Sequence, residues 1–458
     1  MAQDLVGPKS LRFREFLYRE YARFSKVPSS RRTRLTPLGW ALLAALGATA
    51  VMGANTNEST AYQLFSLIAA IGIVSWFAAV RFRPDLEIRR MTPTLGSAGQ
   101  LIRYRVVVRN RSEIMHAALR LKEWIDDGPP PRDMFLHQPE PLEDTRNRFD
   151  RTFLAYRWMW LKRRLRRANA WDTERFSLAP GETVTLEISI TPLRRGILKL
   201  DRILVQHPDP FGVWICSRRV ETDAVDSLVV LPERHPVPPL TLGGESRYQP
   251  CGVALAGSVG QSEEFVSLRD YRAGDPLRHI HWKSWARTGS PIVMEFEDEF
   301  VPRYALVLDT FAAYDRDGRF EAAVSVAASF ACTLDTQDSL LDLMFVGTEA
   351  YCITSGRGTS QPEHLLEVLA AVELCRDRAF EDLSDLVLSH ARVVSACICI
   401  FIEWDSDRAD YLRRLMAQRV DVLPLLIVGD TESLPGDAVT LGVRAISLED
   451  PGRGLAVL

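Results

Sequence analysis

Asp275, His281 and Ser284 lie close together in the chain and are the residue types of an orienting carboxylate, a general base and a nucleophile. Closeness in sequence is not triad geometry, and no Gly-x-Ser-x-Gly elbow frames the serine. A hydrolase centred on His281 and Ser284 is therefore a remote reading. His279 and His281 are two apart, a spacing that suits one face of a strand better than a helix, so they make a weak metal pair. Neither a Gly-x-x-x-x-Gly-Lys phosphate loop nor a dinucleotide fingerprint occurs. These residues point away from catalysis, and the expectation is a protein that is not an enzyme.

A different chemistry is concentrated in the stretch from Tyr156 to Arg167. Arg157, Lys162, Arg163, Arg164, Arg166 and Arg167 alternate there with aromatic residues. Nucleic acid, anionic lipid and an acidic protein would all be attracted to such a segment. The formal net charge of the whole chain is only -3, so overall balance argues neither for nor against nucleic acid. With an anchor in the same chain, the cytoplasmic leaflet is the most economical partner, beside the plain alternative of a solvated insertion. No specific nucleic acid is expected.

At 458 residues, with 47% hydrophobic and 25% charged residues, the chain is globular and needs two or three domains. Its seven cysteines are scattered without metal-ligand spacing, as in a reducing compartment. Residues 37–54 and 61–80 carry no charge, and each is long enough for a helix to cross roughly 30 Å of hydrocarbon. Arg31, Arg32 and Arg34 precede the first stretch, Arg81 and Arg83 follow the second, and the connector holds no Lys or Arg. The positive-inside rule then predicts a hairpin over 36–81 in a plasma membrane, with both termini and the main domains cytoplasmic. Residues 1–35 form a cytoplasmic segment. Within it 11–21 reads either as an amphipathic helix at headgroup level or as a solvated charged helix.

From Leu86 the pattern becomes one of short strands. Residues 101–110, 183–190, 197–205 and 213–217 are predicted strands, with Val184, Leu186, Ile188 and Ile190 sharing one face. They predict an immunoglobulin-like β-sandwich over 82–235, interrupted by the basic insertion 131–175. Beyond it, 236–300 holds the stretch richest in Arg, Asp and Trp. There Asp275-Pro276 reads as a helix start, and a helix to about Ala286 would align His279, Lys283 and Arg287. The next strand, 292–299, would place Glu295, Glu297 and Glu299 on one face, so the acidic and basic faces either pair internally or form an anion site.

In order along that stretch stand Arg269, Tyr271, Gly274, Asp275, Arg278, Trp282, Ser284, Ala286 and Arg287. This order resembles the motif of a bacterial family catalogued only as domain of unknown function 58. Arg195-Gly196 and Asp209-Pro-Phe-Gly212 resemble pieces that precede the motif in that family, so the likeness extends over nearly the whole chain. It implies that Arg269, Tyr271, Gly274, Asp275, Arg278, Trp282, Ser284 and Arg287 bind a partner. It further implies association with MoxR-type AAA+ ATPases, in assembly or maturation of other complexes.

Over 301–458, strands at 304–309, 341–346, 395–402 and 421–428 alternate with helices at 320–334, 364–375 and 408–418. Such alternation predicts a parallel sheet covered by helices. With the family resemblance it looks like a von Willebrand factor type A-like, Rossmann-like α/β domain. Domains of that type often hold magnesium through oxygen ligands at the carboxyl edge of the sheet. Asp309, Thr359 and Asp405 match three of those positions, while Phe311 and Ala313 replace two serines. The expectation is therefore a membrane-anchored, non-enzymatic adaptor without a cofactor. The alternative is a metal-dependent ligand receptor using the degenerate site.

Overall fold

The computed structural model describes residues 8–26, 31–53, 59–238, 263–298, 302–429 and 432–457. Positions 273, 276, 313, 314, 316, 335–338 and 357–361 within those spans are excepted. The chain divides into two compact units, Met1–Glu233 and Arg234–Leu458.

The first unit opens with two helices whose sequences are apolar on every side, Pro37–Gly53 and Ser59–Arg81, packed against each other. Thr36 caps the first: its hydroxyl accepts from the Gly39 amide at 2.9 Å, and Pro37 takes the first helical position, where no donor is needed. Thr60–Arg81, with 22 residues, is the one described helix long and apolar enough to cross a membrane, whereas the apolar part of its neighbour ends at Met52. Two full spans are thus not what the structure shows. At 1.5 Å per residue the 17 residues from Pro37 to Gly53 rise only about 25 Å, short of the hydrocarbon thickness. Trp40, Leu43, Leu67, Ile73, Trp76 and Phe77 are all exposed on the pair, an apolar surface unsuited to water.

Two antiparallel sheets form the β part. One has the order Leu86–Met91, Ile102–Asn110, Thr183–Pro192, Ala168–Ala170. The other runs Arg31–Leu35, Trp214–Leu231, Gly196–Pro208, His116–Trp124, Phe176–Leu178, and Leu95–Ser97 pairs in parallel with Trp214–Leu231. Alternation turns Val106, Val108, Ile188 and Ile190 of the first sheet toward Leu119, Leu121, Ile203 and Val205 of the second, and these residues form a single core. Arg90 and Glu123 sit inside that core with both side chains fully buried and 2.6 Å apart, and Tyr104 donates to the same carboxylate at 2.7 Å.

The N-terminal segment is part of this unit. Strand Arg31–Leu35 pairs with Trp214–Arg218 at the edge of the larger sheet. Helix Pro8–Lys26 is neither a lone headgroup helix nor a solvated one, because one side of it docks on the insertion. Tyr18 and Tyr21 donate to the carbonyls of Pro130 and Phe153 at 3.0 and 2.8 Å, and their rings meet Phe135 and Trp158.

The second unit carries a six-stranded sheet in the order Ala350–Ser355, Leu340–Val346, Arg303–Leu308, Ala396–Phe401, Asp421–Val428, Arg444–Ser447. All neighbours are parallel except the first pair. The central strands are near-continuous apolar runs because helices such as Arg319–Thr333 and Ser406–Ala417 cover the sheet. Arg303–Leu308 leads to Leu340–Val346 on one side and its neighbour Ala396–Phe401 leads to Asp421–Val428 on the other, so a crevice is expected between their carboxyl ends, the usual ligand position in open α/β sheets.

Candidate functional site

Two places gather the residues singled out by sequence. The first is a small substructure within 263–298. Strands Glu263–Asp270 and Ile292–Asp298 pair antiparallel, and the residues between them fold over the hairpin. A bidentate pair locks its loop: Arg269 Nη1 and Nη2 donate to the Asp275 carboxylate at 2.7 and 2.8 Å. The Arg272 amide adds a third bond at 2.8 Å. The Arg269 bond, then the Arg272 amide, hold the Asp275 carboxyl down at about 2. Gly274 has φ 112°, a conformation that excludes side chains with a Cβ at little strain. Asp275 is therefore committed to the loop and does not cap a helix.

The expected continuous helix is broken. Leu277–His279 is one turn of 3₁₀ helix, Ile280 bridges back to Val293, and His281 adopts φ -82°, ψ 85° before helix Trp282–Thr288 begins. His279, Lys283 and Arg287 consequently share no helical stripe. Burial explains the break, since Ile280 and Val293 form the inner side of the hairpin and require an extended backbone there. The side chains of Glu295, Glu297 and Glu299 lie outside the described residues.

Outward from this framework point Leu277 and Trp282, 68% and 63% exposed, with Trp282 stacked on Trp285 at 5.2 Å. Arg278, Lys283 and Arg287 are exposed beside them. Tyr271 contributes its backbone, its amide donating to Pro291. His281 Nδ1 and Ser284 Oγ do meet, at 2.7 Å, but across a single turn. The carboxylate that would complete a triad belongs to Arg269.

The second place is the carboxyl edge of the six-stranded sheet, where Asp309 and Asp405 share a partner. A protein cation lies between them. Arg408 Nε and Nη2 donate to Asp309 at 2.7 and 3.2 Å, and Nη1 donates to Asp405 at 2.5 Å. Nη2 also donates to the Phe311 carbonyl at 3.0 Å, and the guanidinium stands 4.8 Å from the centre of the Phe380 ring. Burial pushes the Asp309 carboxyl above its ordinary range, against the pull of Arg408. Thr359 lies outside the described residues. Among the described residues no three His, Cys, Asp or Glu side chains are grouped to hold a metal. Sequence reasoning missed Arg408, although its signal was present: two serines are absent after Asp309, and an arginine follows three residues after Asp405.

The basic segment is not uniformly a surface. Arg157 is 3% exposed, paired with Glu143 at 2.5 Å and donating to the Phe135 carbonyl at 2.9 Å. Helix Ala155–Arg164 buries that residue along with Leu161 against the insertion, which is why the charge turns inward with a partner. Arg164 faces the Trp160 ring at 5.4 Å, Arg167 donates to the Ile197 carbonyl at 3.0 Å, and Arg163 is exposed. Lys162 is half-buried, and Arg166 borders a cavity in the sandwich.

Residues 267–454, from the locked hairpin through the α/β sheet, match the family described as Protein of unknown function DUF58. Uncharacterized protein YeaD of Bacillus subtilis is 29% identical over 190 residues, which is 41% of this chain and 46% of the relative. The chain thus matches about half the length of that relative. Among solved structures, a CARDB domain from Pyrococcus furiosus is 17% identical, with 32% of this chain and 89% of that one covered, at a TM-score of 0.16. Spo0M, the sporulation control protein of Bacillus subtilis, is 10% identical over 32% of this chain and 50% of its own, also at 0.16. Likenesses so slight carry no argument about fold.

Proposed function

We propose that this chain is a membrane-anchored, non-enzymatic interaction protein that docks a cytosolic partner through the locked hairpin of residues 263–298. The partner is proposed to be a MoxR-type AAA+ ATPase engaged in assembling other complexes. The observation that carries the reading is the exposed pair Leu277 and Trp282, set among Arg278, Lys283 and Arg287 on a loop stiffened by Arg269 and Asp275. Aromatic and arginine side chains on a rigid support are the usual anchors of protein interfaces. The apolar helices support the anchor, and arginines at their outer ends favour a cytoplasmic orientation. In this reading both helices insert, the β-sandwich is an immunoglobulin-like spacer, and the α/β domain is of von Willebrand factor type A-like form. A magnesium-dependent receptor is supported less well, because the Arg408 guanidinium already stands between the two carboxylates it would need.

A tagged pull-down from native membranes tests the proposal, with Trp282→Ala and Asp275→Ala alongside wild type. Recovery of an AAA+ ATPase by wild type and its loss in Trp282→Ala is the expected result. Absence of any ATPase in gentle detergent, with and without nucleotide, overturns the choice of partner.

A further inference from the structure

The outer face of the larger sheet of the sandwich carries a cavity of about 460 Å³. Strand alternation builds it: Leu119, Leu121 and Glu123 turn into the core, so Arg120, Lys122 and Trp124 turn out together. Arg219 enters from the neighbouring part of the sheet, Arg34 from the edge strand, and Arg166 from the end of the basic insertion. Five cations therefore surround one opening. Three acidic groups line the same opening and offset the cations only in part. Glu123 gives its carboxylate to Arg90 inside the core, Asp127 accepts from the Arg167 amide at 2.8 Å, and Asp172 stands 3.7 Å from Lys122.

A further observation concerns how these cations are held. The Trp124 ring lies 3.6 Å beneath the Arg219 guanidinium, which holds that cation in place. Position supplies the last element. Arg34 stands three residues before Pro37, the first residue of an apolar helix, and three residues of extended chain reach at most about 10 Å.

We propose that this cavity binds a phosphate ester, its anionic oxygens taken by Arg120, Lys122 and Arg34. Guanidinium forks match phosphate oxygens, and a mixed floor of Trp124, Leu204 and Ile215 suits the carbon stem of the ester. The ester is either the headgroup of an anionic phospholipid or a soluble phosphate compound. Only the lipid source rests on the membrane reading given above.

The test is native mass spectrometry of the full chain in nonionic detergent, titrated separately with phosphatidylglycerol, with phosphatidylcholine of the same acyl chains, and with glycerol 1-phosphate. Preferential binding of phosphatidylglycerol, reduced at least tenfold in Arg120→Gln/Lys122→Gln, assigns the site to a lipid headgroup. Binding of glycerol 1-phosphate that is lost in the same variant, without a lipid preference, assigns it to a soluble ester, and that outcome stands even if the chain is not in a membrane. Arg103→Gln, an exposed position on the other sheet, leaves either result unchanged. Arg34→Gln removes one exposed cation on the edge strand, so it weakens binding several-fold even if the double variant folds poorly. Equal retention of both lipids with no uptake of glycerol 1-phosphate, or undiminished binding in both variants, overturns the proposal.

Discussion

Replacing Arg408 with Met tests whether the α/β domain depends on an internal cation at its sheet edge. The substitution keeps most of the apolar stem beside Phe380 and removes the guanidinium. Asp309, 1% exposed, is then left with two backbone donors, the amides of Phe311 at 3.0 Å and Ile402 at 3.4 Å. Removing one partner of a buried ion pair costs about 3–5 kcal/mol, because the surviving charge remains desolvated. The bond to Asp405 adds little, since that carboxylate is half in water and screened. Local opening of strands Arg303–Leu308 and Ala396–Phe401 is read by hydrogen exchange of the full chain in detergent. There 3–5 kcal/mol is between about two and three and a half decades in rate. The sign with pH follows from burial, which raises the Asp309 carboxyl above its unfolded value. An unpaired Asp309 is tolerated when protonated and penalised as pH rises, so the deficit is larger at pH 8 than at pH 5. Asp309→Asn in the Arg408→Met background recovers much of the loss. Exchange in Arg408→Met within a few-fold of wild type at pH 8 would refute the reasoning.

Other outcomes follow from the same physics. The Asp275 carboxyl is held at about 2, below its ordinary 3.8, so its pair with Arg269 stabilises the folded loop fully above that ordinary value and is lost as pH falls toward 2. Hydrogen exchange across residues 267–275 shows this loosening in acid, and Asp275→Asn shows it already at neutral pH. Gly39→Ala places a Cβ 2.4 Å from the Val213 carbonyl and 2.7 Å from Leu35 Cδ2, so it lowers the melting temperature. Thr36→Ala at the same helix start costs about 1 kcal/mol in denaturant titration. Tyr104→Phe withdraws a donor from buried Glu123 and costs about 1.5–3 kcal/mol, read as faster exchange in strand His116–Trp124. Isothermal titration of the wild-type chain with magnesium gives no saturable heat, since the Arg408 guanidinium occupies the space between the carboxylates.

Much of the α/β sheet was legible because buried parallel strands are written as apolar runs, as at Ala396–Phe401. Strand Ala350–Ser355 was missed: it is an antiparallel edge strand with exposed residues at its start and no run to advertise it. Strand Arg31–Leu35 was hidden for another reason, since its three arginines read as flanking charge for a membrane span, although they also ride on a sheet edge. Strand His116–Trp124 alternates Leu119 and Leu121 with Arg120 and Lys122, but this alternation is short and adjoins the positive-φ residue Ala118, which breaks its start. In the hairpin, residue types were readable but geometry was not. A short polar run from Asp275 supports either one helix or two turns, and only the burial of Ile280 against Val293 decides between them. Arg408 illustrates the general difficulty, for its partner Asp309 is about a hundred positions away and periodicity says nothing about pairs so distant.

The turn at Asp209 has a mechanical side. Its carboxylate accepts from the amides of Phe211 and Trp214 at 3.0 and 2.6 Å, and the carbonyls it presents, Gly212 and Val213, accept from Thr36. The second apolar helix is fastened to the same sheet, where Arg218 donates to the Val80 carbonyl at 3.1 Å. Both helices thus enter the sandwich through hydrogen-bonded joints rather than slack tethers. A pull on the sandwich is passed into the helix pair as tilt, and the module behaves as a bracket that keeps its angle rather than as a ball on a string.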